Sequence, residues 1–323
     1  SQVVTTKNEY KISSELMILL LQENYVVNVK YRPGVNHDDD MKQFASKKGA
    51  TKYKGATVMD PECGLHGGPI ATLDFSSLYP SIMMLEDLDP STFKMPNANI
   101  NHPNLEIITN PYDKNIQFVR NTTWTAEQRP PIPRILDRNI KRRKRVQADM
   151  KEEAKKNSKE TFEYRRMDGE QMTIKRKNNA TYGVLGFIFS IFYIEAIAKT
   201  VTAFGRWFLE KAIKIALDEY AVIENGVRRE RVTIVYGDTD SIMIKFAEDL
   251  LCANLPTAEE FPKNANWSDE EYMNRRRVFA SRKLVKPLEE KILKEVGISM
   301  KHEGDKIWLL ATAKKKYGCM IYE

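Results

Sequence analysis

The sequence predicts an α+β protein in which antiparallel strands and long helices occupy separate stretches of chain. Two β-rich runs, 232–236 and 242–244, flank the turn residues Gly237, Asp238, Thr239 and Asp240, which is a hairpin by composition. Ile132, Ile135, Leu136 and Ile140 recur at helical spacing, and a second charged helical stretch follows a break at 157–169, so the two form an antiparallel helical pair. A third helical period, through Ile194, Ile197, Val201, Phe204, Phe208 and Ile215, continues to about Tyr220 as a core helix.

In chain order, 1–50 is a connecting segment with one short apolar stretch at 16–21. An exposed loop at 32–46 carries Asp38, Asp39 and Asp40, which are solvated in this reading. A β-prone run, Pro69 to Leu73, leads into Asp74, and Pro80 stops regular structure soon after. Residues 86–130, rich in Asn, Pro and Asp and without a sustained period, read as an irregular connection. The helical pair covers Ile132 to Lys156 and Glu170 to Gly183. A helix over Glu270 to Val296 and short strands at 307–310 and 318–322 complete the chain.

Composition fixes the class. Of 323 residues, 42% are hydrophobic and 29% charged, which is globular. The longest apolar candidate, Ile188 to Ile197, is broken by Ser190 and closed by Glu195, short of the ~18 residues of a membrane span, so no membrane partner is expected. Cys63, Cys252 and Cys319 form no C-x-x-C pair, which argues against a disulfide framework or a cysteine zinc site. The first ten residues lack the order of a secretory signal, and a cytoplasmic location is expected. The surplus of 51 Lys+Arg over 44 Asp+Glu, a net charge of +7, suits a polyanionic partner.

Two features place carboxylates where solvation alone would not. Asp74 ends the apolar run Ile70, Ala71, Thr72, Leu73, and Asp238 and Asp240 sit between two apolar strands. If strand geometry continues through that turn, Asp238 and Asp240 point the same way. A carboxylate at the end of a buried strand is costly unless paired, hydrogen-bonded or metal-bound. Three converging carboxylates call for a cation, and two-metal phosphoryl transfer is the chemistry that uses such a set.

The strings D-F-S-S-L-Y-P-S from Asp74 and Y-G-D-T-D-S from Tyr236 resemble the first and third palm motifs of family B DNA polymerases. Lys175, Asn179, Tyr182 and Gly183 match the second, K-x-x-x-N-x-x-Y-G. The three occur in family order, and the resemblance runs from about Lys52 to Tyr317. It implies an antiparallel palm at 51–130 and 191–323, with a helical fingers hairpin inserted at 131–190. It further implies that Asp74, Asp240 and the Phe75 carbonyl hold two Mg²⁺ ions, with Asp238 as a nearby carboxylate. The primer 3′-hydroxyl then attacks the α-phosphate of a dNTP and pyrophosphate leaves.

For the nucleotide, the resemblance assigns backbone amides of Ser77 and Leu78 to the triphosphate and the Tyr79 ring to exclusion of a ribose 2′-hydroxyl. Lys175, Asn179 and Tyr182 are separated by four and three positions and so share one helix face. They are assigned to phosphate, to the nucleotide site and to the templating pair. Gly183 admits a close approach of DNA. The apolar stripe of the first fingers helix continues into Arg143 and Gln147, and Arg143 matches the family's triphosphate-binding arginine. The family usually has lysine where this chain has Gln147, which removes one positive charge. Lys314, Lys315, Lys316 and Tyr317 resemble the K-K-R-Y primer-strand motif, and Tyr53, Lys54, Gly55 and Ala56 resemble the Y-x-G-G/A template segment.

Exonuclease, thumb and N-terminal domains are expected to be absent, as in the catalytic chain of a split viral or phage-type polymerase. Partner polypeptides would then supply those domains, and a sliding clamp is a further expected partner. Asp60-Pro61-Glu62 has the spacing of an exonuclease acidic pair but reads as surface loop. Two rival readings fit less well. A non-catalytic polymerase-like subunit should have lost motif carboxylates, and all three are present. A reverse transcriptase should carry adjacent aspartates in the hairpin, whereas Thr239 separates Asp238 from Asp240.

Overall fold

A computed structural model of the chain describes residues 17–18, 54–186 and 192–321. The apolar stretch at 16–21, apart from Met17 and Ile18, the aspartates 38–40 and Tyr53 lie outside the described residues. The fold is mixed helix and antiparallel sheet, in two compact units: 1–55 with 79–203, and 56–78 with 204–323.

The second unit is built on a five-stranded antiparallel sheet. Its strands are β1 (Gly64–Phe75), β6 (Val232–Asp238), β7 (Ser241–Phe246), β8 (Met300–Ala313) and β9 (Lys316–Ile321), in the order β6-β7-β1-β8-β9. Central placement explains the near-continuous apolar run of β1: Ile70, Ala71, Leu73 and Phe75 are fully buried. Gly68, at φ 92°, sits where the β1–β8 register shifts between Gly67 and Ile70, a bulge that accommodates Pro69 within a paired strand. Helix α6 (Asp269–Val296) packs on β1 and β8 through its buried face, which includes Val285, Leu288 and Ile292. Ser268 caps its start by accepting the Glu271 N–H at 3.1 Å, and Gly297 at φ 81° ends it. The short strands β4 (Val222–Glu224) and β5 (Val227–Arg229) and helix α5 (Glu248–Ala253) complete this unit.

Phe75 leads from β1 to helix α1 (Leu78–Leu85), which carries Pro80 in its first turn. Pro80 was expected to stop regular structure; instead the helix runs on past it, because a first-turn N–H has no helical partner to lose. Helix α4 (Glu195–Glu219) spans the boundary between the units at 203/204.

In the first unit, α2 (Pro131–Lys156) and α3 (Phe162–Gly186) run antiparallel, with Val146, Met150 and Met167 in a small core between them. Asn139 donates to Asn178 at 3.1 Å, both buried, so the polar pair is internally satisfied. Helix α3 starts well before Glu170: Thr161 accepts the Tyr164 N–H at 3.1 Å, a local cap that composition hid among charged residues. The stretch 86–130 is likewise more ordered than expected. It holds a 3₁₀ turn (Pro90–Thr92) and a hairpin of β2 (Leu105–Asn110) and β3 (Asp113–Asn121), with Phe118 fully buried. Asp89 organises it by capping the 3₁₀ turn and accepting the Ile132 N–H at 3.0 Å, so one carboxylate closes two helical starts. Burial raises its pKa, against hydrogen bonds from Ser91 and Ile132 that lower it.

Among the described residues no helix is long and apolar enough to cross a membrane. The three cysteines are free.

Candidate active site

In the second unit the sheet brings the two acidic motifs side by side. β1 and β7 pair so that Asp74 stands opposite Ser241, and β6 and β7 pair so that Asp238 also stands opposite Ser241. The Phe75 N–H donates to the Asp240 carbonyl at 2.8 Å, tying the end of β1 to the hairpin turn. The Phe75 side chain is fully buried and anchors this junction. The next residues leave the strand by a sharp path: the Ser76 N–H donates to the Ser299 carbonyl at 2.9 Å, and Ser77 adopts φ 52° before Leu78, buried, opens α1.

The turn itself departs from strand geometry. Thr239 sits at φ 58°, and the Asp240 N–H reaches back to the Asp238 carbonyl at 2.6 Å, a γ-turn of the rare positive-φ kind. Holding a β-branched residue there costs on the order of 1–3 kcal/mol. Asp238 and Asp240 therefore do not continue a common strand face. Asp238 accepts from Thr239 Oγ1 at 2.9 Å and lies 3.3 Å from Lys315 Nζ and 3.5 Å from the Tyr236 hydroxyl. Among the described residues no group of three or more His, Cys, Asp or Glu side chains forms a metal cage, and Asp238 is paired with a lysine.

That lysine belongs to the turn joining β8 to β9. Lys314 and Lys315 form the turn, with Lys315 at φ 60°, while Lys316 and Tyr317 begin β9. Tyr236, 3% exposed, holds it from below: its hydroxyl accepts the Lys315 N–H at 2.9 Å, and its ring lies 5.8 Å from that of Tyr317. Burial pushes the Tyr317 hydroxyl pKa up, with smaller contributions from Cys319, Tyr236 and Asp238. Lys314 pairs with Asp60 at 3.0 Å. Both lysines remain largely open to water, so these ion pairs are worth about 0–1 kcal/mol each and give way readily to a better anion.

In the first unit Arg143 and Gln147 are half-buried on α2 while Arg142, Lys144 and Arg145 are exposed, as the stripe required. Arg143 Nε donates to Gln171 at 3.1 Å, and Gln171 Nε2 donates to Asp168 at 2.8 Å. Burial lowers the Arg143 pKa from its usual value. Lys175, Asn179 and Gly183 are exposed on α3. A Cβ added at Gly183 or at Gly55 would meet nothing within 4 Å, so the protein's own packing does not demand glycine at either position. The Tyr182 and Tyr79 rings are in contact, with centroids 4.6 Å apart at 51°, which joins the first and second motifs through two aromatic side chains.

Two residues missed in the sequence belong to these arrangements. Gln171 orients Arg143 and stands one turn before Lys175, so extending the Lys175, Asn179, Tyr182 stripe back by four residues would have found it. Tyr236 was visible as the first letter of its motif, but nothing in the sequence shows which turn its hydroxyl meets.

Comparison with known proteins accounts for the arrangement. Catalytic subunits of DNA polymerase delta are similar: that of Candida albicans is 32% identical over 274 residues, 85% of this chain, and that of Dictyostelium discoideum is 37% identical over 195 residues, 60% of this chain. The chain spans only 24% and 16% of those relatives' length. A solved structure, the family B DNA polymerase from the hyperthermophilic archaeon Pyrobaculum calidifontis, superimposes with a TM-score of 0.59 at 26% identity, over 97% of this chain and 32% of that one. The family model described as DNA polymerase family B matches residues 1–269, a span that takes in the Asp74, Lys175 and Tyr236 motifs alike. On the strength of that match, this chain belongs to DNA polymerase family B.

Proposed function

We propose that this chain joins a deoxynucleotide to a primer 3′-hydroxyl under the direction of a template, as the palm and fingers part of a DNA-directed DNA polymerase. One observation carries it: two acidic segments remote in sequence meet on neighbouring strands, with the Phe75 N–H bonded to the Asp240 carbonyl at 2.8 Å. Their donors are carboxylate and carbonyl oxygens. Such a set suits Mg²⁺, which proteins hold through one or two carboxylates and complete with substrate phosphates and water. Asp74, Asp240 and the Phe75 carbonyl are assigned to it. When bound, two such ions stabilise the attacking and leaving oxygens of the displacement.

The remaining work is positioning and neutralisation of charge. Arg143 offers a planar fork to triphosphate oxygens and Lys175 a point charge, while the Ser77 and Leu78 amides add neutral donors. Tyr79, braced by Tyr182, presents its ring where a 2′-hydroxyl would stand. Asn179 and Tyr182 meet the nascent pair. Lys315 and Lys316 bind primer-strand phosphates, with Asp238 and Tyr236 orienting Lys315 until the phosphate arrives. Tyr53 and Gly55 guide the template.

Primer extension by the full-length protein on four templates that differ in one base tests this. Incorporation should follow the template base and require Mg²⁺. Binding of primed DNA without extension would favour the alternative, a polymerase-like DNA-binding subunit.

A further inference from the structure

Strand β6 is an outermost strand of its sheet, and segment 57–62, whose Asp60-Pro61-Glu62 reads from the sequence as surface loop, closes that edge. The Met59 N–H donates to the Gly237 carbonyl at 2.9 Å and the Glu62 N–H to the Val235 carbonyl at 3.0 Å, while Val58 and Asp238 form an antiparallel bridge. The contact that matters most is at the turn. The Thr239 N–H donates to the Thr57 carbonyl at 2.9 Å, so the segment holds the one residue of the hairpin that sits at positive φ. A strained turn persists only when its surroundings over-determine it. Here Thr57 does so from one side and the Phe75 N–H, on the Asp240 carbonyl, from the other.

The seat of the segment is Gly237. A Cβ built there would lie 2.7 Å from Met59 Sδ and 3.4 Å from Met59 Cγ. Gly237 is buried and outside the positive-φ region, so a side chain there would meet the Met59 thioether and no conformational bar. Val58 packs on the cluster of Ile70, Val235, Tyr236, Met243 and Leu309, which anchors the segment against the sheet. It continues directly from the Tyr53–Ala56 string, so chain that resembles a template contact runs on into the support of the acidic hairpin.

We propose that 57–62 is a brace for the Asp238–Asp240 turn, with Met59 and Gly237 as positioning residues that set where Asp240 stands. The proposal rests on the polymerase function assigned above only for its kinetic readout. Gly237→Ala should displace the Met59 thioether, speed hydrogen exchange at the Thr239 amide, and lower kcat about tenfold, with nucleotide KM and primer-template Kd within about twofold. Met59→Ala combined with Gly237→Ala reopens the space and should restore both exchange protection and kcat. Met59→Pro, which removes the donor to Gly237 from outside the hairpin, should reproduce the defect without altering the turn's own sequence.

Unchanged Thr239 exchange and kcat in Met59→Pro would overturn the brace, as would a double variant no better than Gly237→Ala. If the native protein extended no primer at all, the function assigned above would fail. The exchange pattern of the three variants would still decide the brace.

Discussion

Removing one oxygen, in Tyr236→Phe, separates orientation from charge in the binding of the primer strand. The ring is 3% exposed and packs against Tyr317, so its burial survives the change. What is lost is the bond from the Lys315 N–H at 2.9 Å and a 3.5 Å contact to Asp238 that is too long to count for much. A neutral hydrogen bond contributes about 0.5–1.5 kcal/mol, and the freed N–H lies in a turn where water can replace the hydroxyl, so about 0.5–1 kcal/mol is the fitting value. The β8–β9 turn, with Lys315 at φ 60°, then loses an anchor that favours its bound conformation. Primer-template affinity should fall about two- to fivefold. Thermal unfolding should move by no more than ~2 °C. The salt dependence decides the reasoning, because no charge is removed. A plot of log Kd against log salt for Tyr236→Phe should run parallel to the native line, whereas Lys315→Met should flatten it by about 0.9. Fluorescence anisotropy of a labelled primer-template over a salt series reads both. A changed slope in Tyr236→Phe, or an unchanged one in Lys315→Met, would refute the assignment of orientation to Tyr236 and of charge to Lys315.

Three further outcomes follow from other parts of the molecule. In the proposed role of its ring against a ribose 2′-hydroxyl, Tyr79→Ala should raise ribonucleotide incorporation relative to deoxynucleotide in a competition assay; unaltered discrimination would remove Tyr79 from that role. Asp89→Ala leaves the Ile132 N–H and the 3₁₀ turn without their buried acceptor and should lower stability by about 2–4 kcal/mol in urea unfolding, whereas a loss under ~1 kcal/mol would show that Asp89 is dispensable. Tyr220 donates to the Leu284 carbonyl at 2.6 Å, and burial raises its pKa from 10.0 to about 12. The unfolded chain therefore releases this proton first, and the stability Tyr220 contributes, complete below pH 10, is lost as pH rises toward about 12. Tyr220→Phe should lose less stability than the native chain across that window, and identical pH profiles would contradict the assignment.

The strands and helices with a clean period were legible in the sequence. The hairpin 232–246 shows in two β-rich runs about turn residues, and the helix from Ile132 and the helix ending near Val296 in a burial pattern that repeats along the element. Elements held by distant polar contacts were not legible. Asp89 reaching the Ile132 N–H and segment 57–62 on the edge of β6 depend on pairings across sequence gaps that no local pattern encodes, and the local β2–β3 hairpin was hidden by its Asn-rich composition. Pro80 misled because its meaning depends on position: it breaks a helix interior but not a first turn. At the site, Asp74, Asp238 and Asp240 stand out at strand ends, and the family resemblance assigns Asp74 and Asp240 to metal with Asp238 nearby, but the surroundings of Asp238 were not legible. The positive φ of Thr239 and the approach of Lys315 turn Asp238 toward a cation of the chain itself, and neither is visible in the letters D-T-D.

Single-nucleotide incorporation by Asp240→Asn, measured beside its affinity for the same primed template, bears on the function more directly than any other measurement. The substitution keeps the size and the backbone of the turn, including the carbonyl that accepts the Phe75 N–H, and takes away the carboxylate charge that the proposed function assigns to Mg²⁺. Several kcal/mol of charge stabilisation should vanish with it, so incorporation should fall by at least about 10³-fold while Kd for DNA stays within about twofold. Incorporation within tenfold of the native rate would contradict the assignment of Asp240 to the metal site.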